Sequence, residues 1–133
     1  MTGIERVCRF LEEAQTYYLA TVEGDQPRVR PFGTVLLCDG KLYIQTGKSK
    51  DVSKQIAANP KVEVCACQGG KWLRIAGELV RDENRDIKVA MLEKMPSLKG
   101  MYDPDDGNME MLCFKNATAT FSSFTEAPET ICF

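Results

Sequence analysis

Apolar side chains follow two periods along this chain, one typical of an α-helix near its start and one typical of β-strands over most of the rest. The helical period covers residues 3–15, where Thr2 and Glu5 form a capping box. The apolar face consists of Ile4, Val7, Cys8, Leu11 and Ala14. This segment is therefore predicted to be an amphipathic helix.

The strand-like segments are short and are separated by turn residues. The predicted strands are residues 17–23, 28–38, 41–46, 62–67, 72–81, 109–114 and 117–124. Pro31 and Gly33 interrupt the second of them, and a proline inside a strand indicates a sheet edge, a bulge or a bound group. Asp39-Gly40 predicts a tight hairpin between the second strand and the third.

Two further helices are predicted downstream. One begins after Ser49 as its N-cap and ends before Asn59-Pro60, and the other covers residues 84–94. Residues 96–108 are predicted to be a loop. Strands joined mostly by hairpins, with about three added helices, favour a mainly β fold: a small antiparallel barrel forming one domain over residues 1–133.

The composition adds one strong exclusion, because the chain of 133 residues contains no histidine. Without histidine there can be no Ser-His-Asp or Cys-His nucleophile, no histidine-ligated metal and no imidazole proton shuttle. Carboxylate chemistry, lysine chemistry or a bound cofactor remains. No catalytic side chain can be named from the sequence.

The formal net charge of −2 argues against a general binder of nucleic acid or of acidic membranes. The charge is unevenly distributed, since residues 28–61 contain seven basic and two acidic side chains. Either a local anion site or a solvated lysine face would explain this stretch. An acidic remainder favours a small anion over a polymeric one.

Six cysteines occur, at positions 8, 38, 65, 67, 113 and 132. Residues 2–15 are amphipathic and charged, unlike a signal peptide, and no apolar run approaches the roughly 20 residues of a membrane span. A cytoplasmic location with free thiols is therefore expected.

Two segments invite a metal or redox interpretation. Cys65 and Cys67 point to one face of a predicted strand, but their side chains would be ~6–7 Å apart, which is beyond easy disulfide geometry. Small buried apolar residues are the favoured interpretation of this pair. Residues 103–108 resemble a calcium loop, but the glycine falls one position early and no glutamate follows in register. They are interpreted as a surface loop, and no metal site is predicted.

The segment Thr46-Gly47-Lys48-Ser49-Lys50 joins a predicted strand to a predicted helix. Hydroxyls, lysines and a helix N-terminus suit a phosphate, although this is not a Walker A motif and an ordinary capped loop is the alternative. Arg28 and Arg30 share one face of a strand, where they either meet an anion or lie free in solvent.

The Asp39-Gly40 hairpin is expected to bring these two basic elements together. Pairing about that turn would place residue 33 opposite 46 and residue 31 opposite 48. Arg30 and the turn after Thr46 would then lie at the same end of the hairpin.

The chain resembles a known family over about residues 4–82. The resemblance is carried, in order, by Leu19-Ala20-Thr21-Val22, Gln26-Pro27-Arg28-Val29-Arg30-Pro31-Phe32-Gly33, Asp39-Gly40-Lys41-Leu42-Tyr43-Ile44-Gln45-Thr46-Gly47-Lys48-Ser49-Lys50 and Asn59-Pro60-Lys61-Val62. This set is similar to the pyridoxamine 5′-phosphate oxidase-like family of FMN-binding split β-barrels, nearest its small general-stress and nitroimidazole-resistance-like members.

The resemblance implies a homodimer with two FMN sites at the subunit interface. It implies phosphate contacts from Arg30 and Lys50, with Arg28 and Lys48 as further basic candidates. The resemblance also implies hydroxyl or backbone donors from Thr46 and Ser49. It implies an isoalloxazine lining from the backbone around Val29, Pro31 and Phe32, with Gln45, and a contact from Trp72 of the partner subunit. Trp72 as a core or interface anchor is an equal alternative.

The resemblance also has a limit. Pyridoxamine 5′-phosphate oxidases carry a C-terminal arginine and histidine for substrate, whereas this chain has no histidine and no arginine after Arg85. The namesake activity is therefore not expected. An FMN-dependent oxidoreductase acting on an unknown small molecule is the favoured function. A non-enzymatic flavin carrier, sensor or redox buffer is the alternative, and haem or a deazaflavin is the third possibility.

Overall fold

The computed structural model describes all residues from Met1 to Phe133 and contains three α-helices, one 3₁₀-helix and eight strands. The helices are α1 (Gly3–Ala14), α2 (Asp51–Ala58) and α3 (Arg85–Lys94), and the 3₁₀-helix is Pro96–Gly100. The strands are β1 (Tyr17–Glu23), β2 (Gln26–Phe32), β3 (Leu36–Cys38), β4 (Lys41–Gly47), β5 (Lys61–Gln68), β6 (Lys71–Asp82), β7 (Met109–Ser123) and β8 (Glu129–Cys132). None of the helices has the length and apolar character needed to cross a membrane.

All eight strands belong to one sheet in the order β2-β1-β5-β6-β7-β4-β3, with β8 paired to β7, and every pairing is antiparallel. This confirms the predicted mainly β, antiparallel fold with three α-helices. The larger core cluster lies between the sheet, α1 and α2, and a smaller cluster lies beneath α3. The sheet places β2 at one edge, where the candidate site lies.

The predicted strand 28–38 is wrong in one respect, because it forms two strands with different partners. β2 pairs with β1, whereas only β3 pairs with β4, in the predicted register. Pro31 has no N–H for a second neighbour, which suits an edge strand. Beyond β3, the Thr34 hydroxyl takes the place of the ladder by accepting from the Gln45 N–H at 2.9 Å and donating to the Gln45 carbonyl at 3.2 Å. The pairs expected at 33/46 and 31/48 do not form.

The C-terminal region also differs from the prediction. The segments predicted as two strands, 109–114 and 117–124, are one long strand with a bulge at Asn116, whose φ is +50°. Gly77 faces this bulge, where a Cβ would lie only 2.9 Å from the Cα of Ala117. The short strand β8 was not predicted, and neither was the 3₁₀-helix inside the predicted loop.

The six cysteines are free, and their environments differ. Cys8 is buried beneath α1, and burial raises the pKa of its thiol to about 11. Cys132 is exposed on β8. Since the thiolate is the nucleophile, burial and a high pKa should both slow reaction at Cys8.

We therefore expect iodoacetamide at pH 8 to label Cys132 of the native protein while Cys8 stays unmodified. Peptide mass spectrometry of a time course gives the measurement, and a sample labelled in denaturant should show all six thiols modified. Equal labelling rates at Cys8 and Cys132 in the native protein would contradict the burial described here.

Candidate functional site

A cleft of about 510 Å³ opens at the sheet edge, where β2 faces the first turn of α2. Its lining residues are Glu23, Arg28, Val29, Arg30, Lys50, Asp51, Val52 and Gln55. Lys50 is the N-cap residue of α2, and no side chain caps the helix. The prediction of Ser49 as N-cap is thus wrong by one residue, and the first-turn N–H groups lack a side-chain acceptor. These groups and the helix dipole favour negative charge near the cleft.

Arg30 is held in one orientation by two buried polar side chains. Its guanidinium donates to the Thr21 hydroxyl and to Gln55 Oε1, both at 2.7 Å, and to the Leu19 carbonyl at 3.2 Å. Gln55 Oε1 also accepts from the Thr21 hydroxyl at 2.6 Å. Because Thr21 lies on β1 and Gln55 on α2, the network ties sheet, helix and Arg30 together. These bonds use three of the five N–H donors of Arg30 and leave two for a ligand.

The positive charge in the cleft is only partly compensated. Arg28 pairs with Glu23 at 2.9 Å, but neither Arg30 nor Lys50 takes part in an ion pair. Burial lowers the pKa of Arg30, and the charge of Arg28 lowers it further. Both effects disfavour the charged guanidinium as it stands. An anion in the cleft would relieve this cost by pairing with Arg30 and Lys50.

Thr46 and Lys48 do not line this cleft. The Lys48 ammonium pairs with Glu83 at 3.0 Å, and its hydrogen bond lowers the pKa of that carboxyl. Thr46 is 3% exposed, and its hydroxyl makes no hydrogen bond. Among the residues of the basic turn, only Lys50 lines the same cleft as Arg30. Their proximity arises because α2 packs on β1, not from the expected hairpin register.

The basic turn is supported by Asn108, at the end of the loop 103–108. The Lys48 N–H donates to the Asn108 carbonyl at 2.7 Å, and the Ser49 N–H donates to Asn108 Oδ1 at 3.0 Å. Gly47 is needed here, because a Cβ would lie 2.9 Å from Asn108 Nδ2. Ser49 does not line the cleft, and its backbone N–H is already used by Asn108.

Asn108→Ala should lower the free energy of unfolding by about 1 kcal/mol, because it leaves the Ser49 N–H without its acceptor. Asn108→Asp keeps an acceptor oxygen and should cost less. Urea denaturation of the three proteins gives the comparison. A larger loss for the aspartate variant than for alanine would contradict this role of Oδ1.

The acidic side chains of the loop 103–108 accept hydrogen bonds from backbone N–H groups of the loop itself and of the residue that follows it. Asp106 accepts from the backbone N–H groups of Asp103, Asn108 and Met109, and these bonds lower the pKa of its carboxyl. No group of three or more cysteine, aspartate or glutamate side chains is arranged to hold a metal ion. The loop is on the surface, as predicted, and its contribution to the site is the placement of Asn108.

Val29, Pro31 and Trp72 lie on the outer face of the sheet. Val29 and Pro31 alternate with Arg28 and Arg30, so they face away from the barrel interior, and Val29 is 68% exposed. The strand register places Trp72 on the same face, three strands away from β2, or ~14 Å at ordinary strand spacing. The structure therefore does not bring Trp72 to the cleft of its own chain.

The side chain of Phe32 packs partly buried against the core, and that of Gln45 is buried. The Phe32 ring packs 6.1 Å from the ring of Tyr17, and the buried Gln45 amide donates to the Thr46 carbonyl at 2.9 Å. Gln45 could therefore offer a ligand only its backbone.

Cys65 and Cys67 lie on the same outer face as Trp72, with Cys65 partly buried and Cys67 exposed. The interpretation of both as buried apolar residues is wrong for Cys67. The reason is the strand alternation, which turns Val64 and Ala66 inward instead.

Thr21, Gln55 and Asn108 were not identified as functional residues from the sequence. Thr21 gives a signal in retrospect, because it follows Tyr17 and Leu19 at a core-facing position of β1. A polar residue at such a position needs a buried partner. Gln55 and Asn108 give no comparable signal.

The comparisons with known proteins agree on one family. The sequence matches the family model described as pyridoxamine 5′-phosphate oxidase over residues 4–122. A NimC/NimA family protein from Clostridium acetobutylicum is 44% identical, with a TM-score of 0.93, and the alignment covers 98% of this chain and 95% of that chain. Among curated proteins, none matches the chain.

More distant structures share the fold. General Stress Protein 26 from Bacillus anthracis str. Sterne is 21% identical with a TM-score of 0.74, covering 99% of this chain and 100% of that chain. A pyridoxamine 5′-phosphate oxidase-related, FMN binding protein from Nostoc punctiforme is 15% identical with a TM-score of 0.62, covering 98% and 94% respectively. Matched over most of its length by the family model and by a close structural relative, the chain belongs to the pyridoxamine 5′-phosphate oxidase-like family of split β-barrels, with a NimC/NimA family protein among its relatives.

Proposed function

We propose that this protein binds FMN, with the phosphate in the cleft between β2 and the start of α2. The observation that carries the proposal is that two cations outside any ion pair, Arg30 and Lys50, line one cleft. Arg30 is already oriented by Thr21 and Gln55, so little ordering remains to be done when an anion binds. A phosphate suits these donors, since guanidinium and ammonium groups form strong charge-assisted hydrogen bonds to its oxygens.

The relatives support a flavin as the group that carries this phosphate. The family model matches this sequence, the FMN binding protein from Nostoc punctiforme shares the fold, and the cations that line the cleft suit the phosphate end of FMN. The ring would extend from β2 past the backbone of residues 29–32. Gln45 would contribute backbone atoms there, because its side chain is buried, and the partly buried Phe32 would contribute its backbone as well.

We further propose a homodimer in which the ring lies between two copies. The outer face of β1, β2, β5 and β6 exposes apolar side chains, among them Val29 at 68% and Tyr18 at 52% exposure. A second copy packed on this face would cover them and would present its own Trp72 to the ring. Sedimentation should then give twice the chain mass of 14.9 kDa. If the protein is a monomer that still binds FMN, the proposed contact from the partner's Trp72 is wrong. The proposed phosphate site would not be affected by that result.

Reversible hydride or electron transfer is the chemistry that a flavin supplies when bound. The residues of this chain bind the phosphate, orient the ring and exclude water from one side of it. When the flavin carries the chemistry and the protein only binds and orients it, no side-chain acid or base is required. This suits a chain without histidine. An FMN-dependent oxidoreductase acting on a small molecule is therefore the proposed function.

The direct test is an FMN titration of the purified protein, followed by flavin absorbance and fluorescence. We expect saturable binding at micromolar FMN or below, and an absence of binding in that range would overturn the proposal. Haem and a deazaflavin phosphate, titrated in the same way, measure the preference for FMN. Turnover of NADH or NADPH with an added acceptor then separates an oxidoreductase from a carrier, sensor or redox buffer, which would bind FMN without turnover.

A further inference from the structure

A second cleft, of about 300 Å³, lies between α2 and strands β6 and β7 and shares no lining residue with the first. Its walls are mainly apolar, with Ile56, Ala57, Leu79 and Leu112 among the lining residues. Arg81 and Glu110 provide its charges. A mainly apolar cleft with few polar groups is typical of a site for a small organic molecule.

Glu110 is the unusual member of this cleft. Its side chain is 2% exposed, and Oε2 accepts a hydrogen bond from Arg81 Nε. The other carboxylate oxygen, Oε1, is buried and makes no hydrogen bond. Buried polar atoms in proteins are nearly always satisfied, because an unmet buried acceptor is costly. A donor supplied from outside the chain would remove that cost.

Thr46, which does not itself line the cleft, adds a second unmet group next to Glu110. It lies directly opposite Glu110 across β4 and β7, so the two side chains point to the same face of the sheet. The Thr46 hydroxyl is also buried without a hydrogen-bond partner. Two adjacent unpartnered polar groups therefore lie at one end of an otherwise apolar core.

The surrounding charges define the kind of ligand. Arg81 already neutralises Glu110, and Glu83 nearby is paired with Lys48. A cation would find no excess negative charge, and an anion would be repelled by the buried carboxylate of Glu110. We infer that this cleft binds a small, uncharged and mainly apolar molecule that donates one N–H or O–H hydrogen bond to Glu110 Oε1.

Indole and 1-methylindole are matched probes, because they differ in the N–H that the proposal requires. We would titrate each into the isotope-labelled full chain and follow the methyl resonances by NMR. Indole should shift the signals of Ile56, Leu79 and Leu112 and should bind about tenfold more tightly than 1-methylindole, the effect of one hydrogen bond to a charged acceptor. Equal affinities, or shifts confined to other parts of the chain, would overturn the inference.

Two variants test the same point independently of each other. Glu110→Gln can turn an N–H₂ donor into the cleft and should abolish the preference for indole. Ala57→Leu keeps α2 intact and fills the cleft, so both probes should bind about tenfold more weakly or worse. If Glu110→Gln does not fold, Ala57→Leu and the two probes still decide the question. Unchanged indole binding by Ala57→Leu would contradict the location proposed here.

Discussion

Arg30→Ala is expected to weaken FMN binding by about 1.5–3 kcal/mol, or about 10- to 150-fold in Kd, at unchanged ionic strength. The variant removes the two guanidinium donors that the network with Thr21 and Gln55 leaves free for a phosphate. It also removes one of the two cations outside any ion pair that line the cleft. Fluorescence titration of FMN against wild type and variant gives the measurement.

Riboflavin is the first control for this prediction, because it has the same ring and no phosphate. Its affinity should be nearly the same for the wild type and for Arg30→Ala. Arg9→Ala is the matched protein control, since Arg9 is an exposed arginine on α1, paired with Glu13 and outside the cleft. Equal losses for FMN and riboflavin would show that Arg30 supports the fold or the ring, and the phosphate assignment would be wrong.

Local patterns predict most of the elements of this fold. The capping box at Thr2 and the apolar spacing behind it place α1, and strand alternation places β1, β4, β5 and β6 to within a few residues. Such signals suffice because each one depends on neighbours in the sequence. The same is true of the Asp39-Gly40 turn, whose register holds for the residues next to it.

Features that depend on distant partners could not be predicted in the same way. The predicted strand 28–38 forms two strands because β2 pairs with the preceding strand β1. Lys48 forms an ion pair with Glu83, which lies 35 residues away in the sequence. Asn108 supports the basic turn from 59 residues downstream of Ser49. The basic segment therefore predicted the region of the candidate site. Which of Lys48, Ser49 and Lys50 lines the cleft depends on tertiary contacts and could not be predicted.

Gln55→Glu is expected to weaken FMN binding as strongly as Arg30→Ala or more, without loss of the fold. A carboxylate at this position can accept the same hydrogen bonds from Arg30 and Thr21, and it adds a negative charge beside the proposed phosphate. It would neutralise Arg30 and repel the ligand, and like charges brought together cost several kcal/mol. We expect FMN affinity to fall by about a hundredfold or more.

The strength of this variant is that it separates structure from charge. A thermal melt should give a midpoint close to that of the wild type, because the ionic partner that Arg30 gains offsets the loss of the long 3.5 Å hydrogen bond from Gln55 Nε2 to Glu23 and the repulsion that replaces it. Gln15→Glu makes the same chemical change at an exposed residue after α1 and should leave FMN affinity unchanged. Riboflavin should again be affected much less than FMN. If Gln55→Glu bound FMN as tightly as the wild type, the anion would have to lie elsewhere, because no phosphate could tolerate a carboxylate paired to its principal cation.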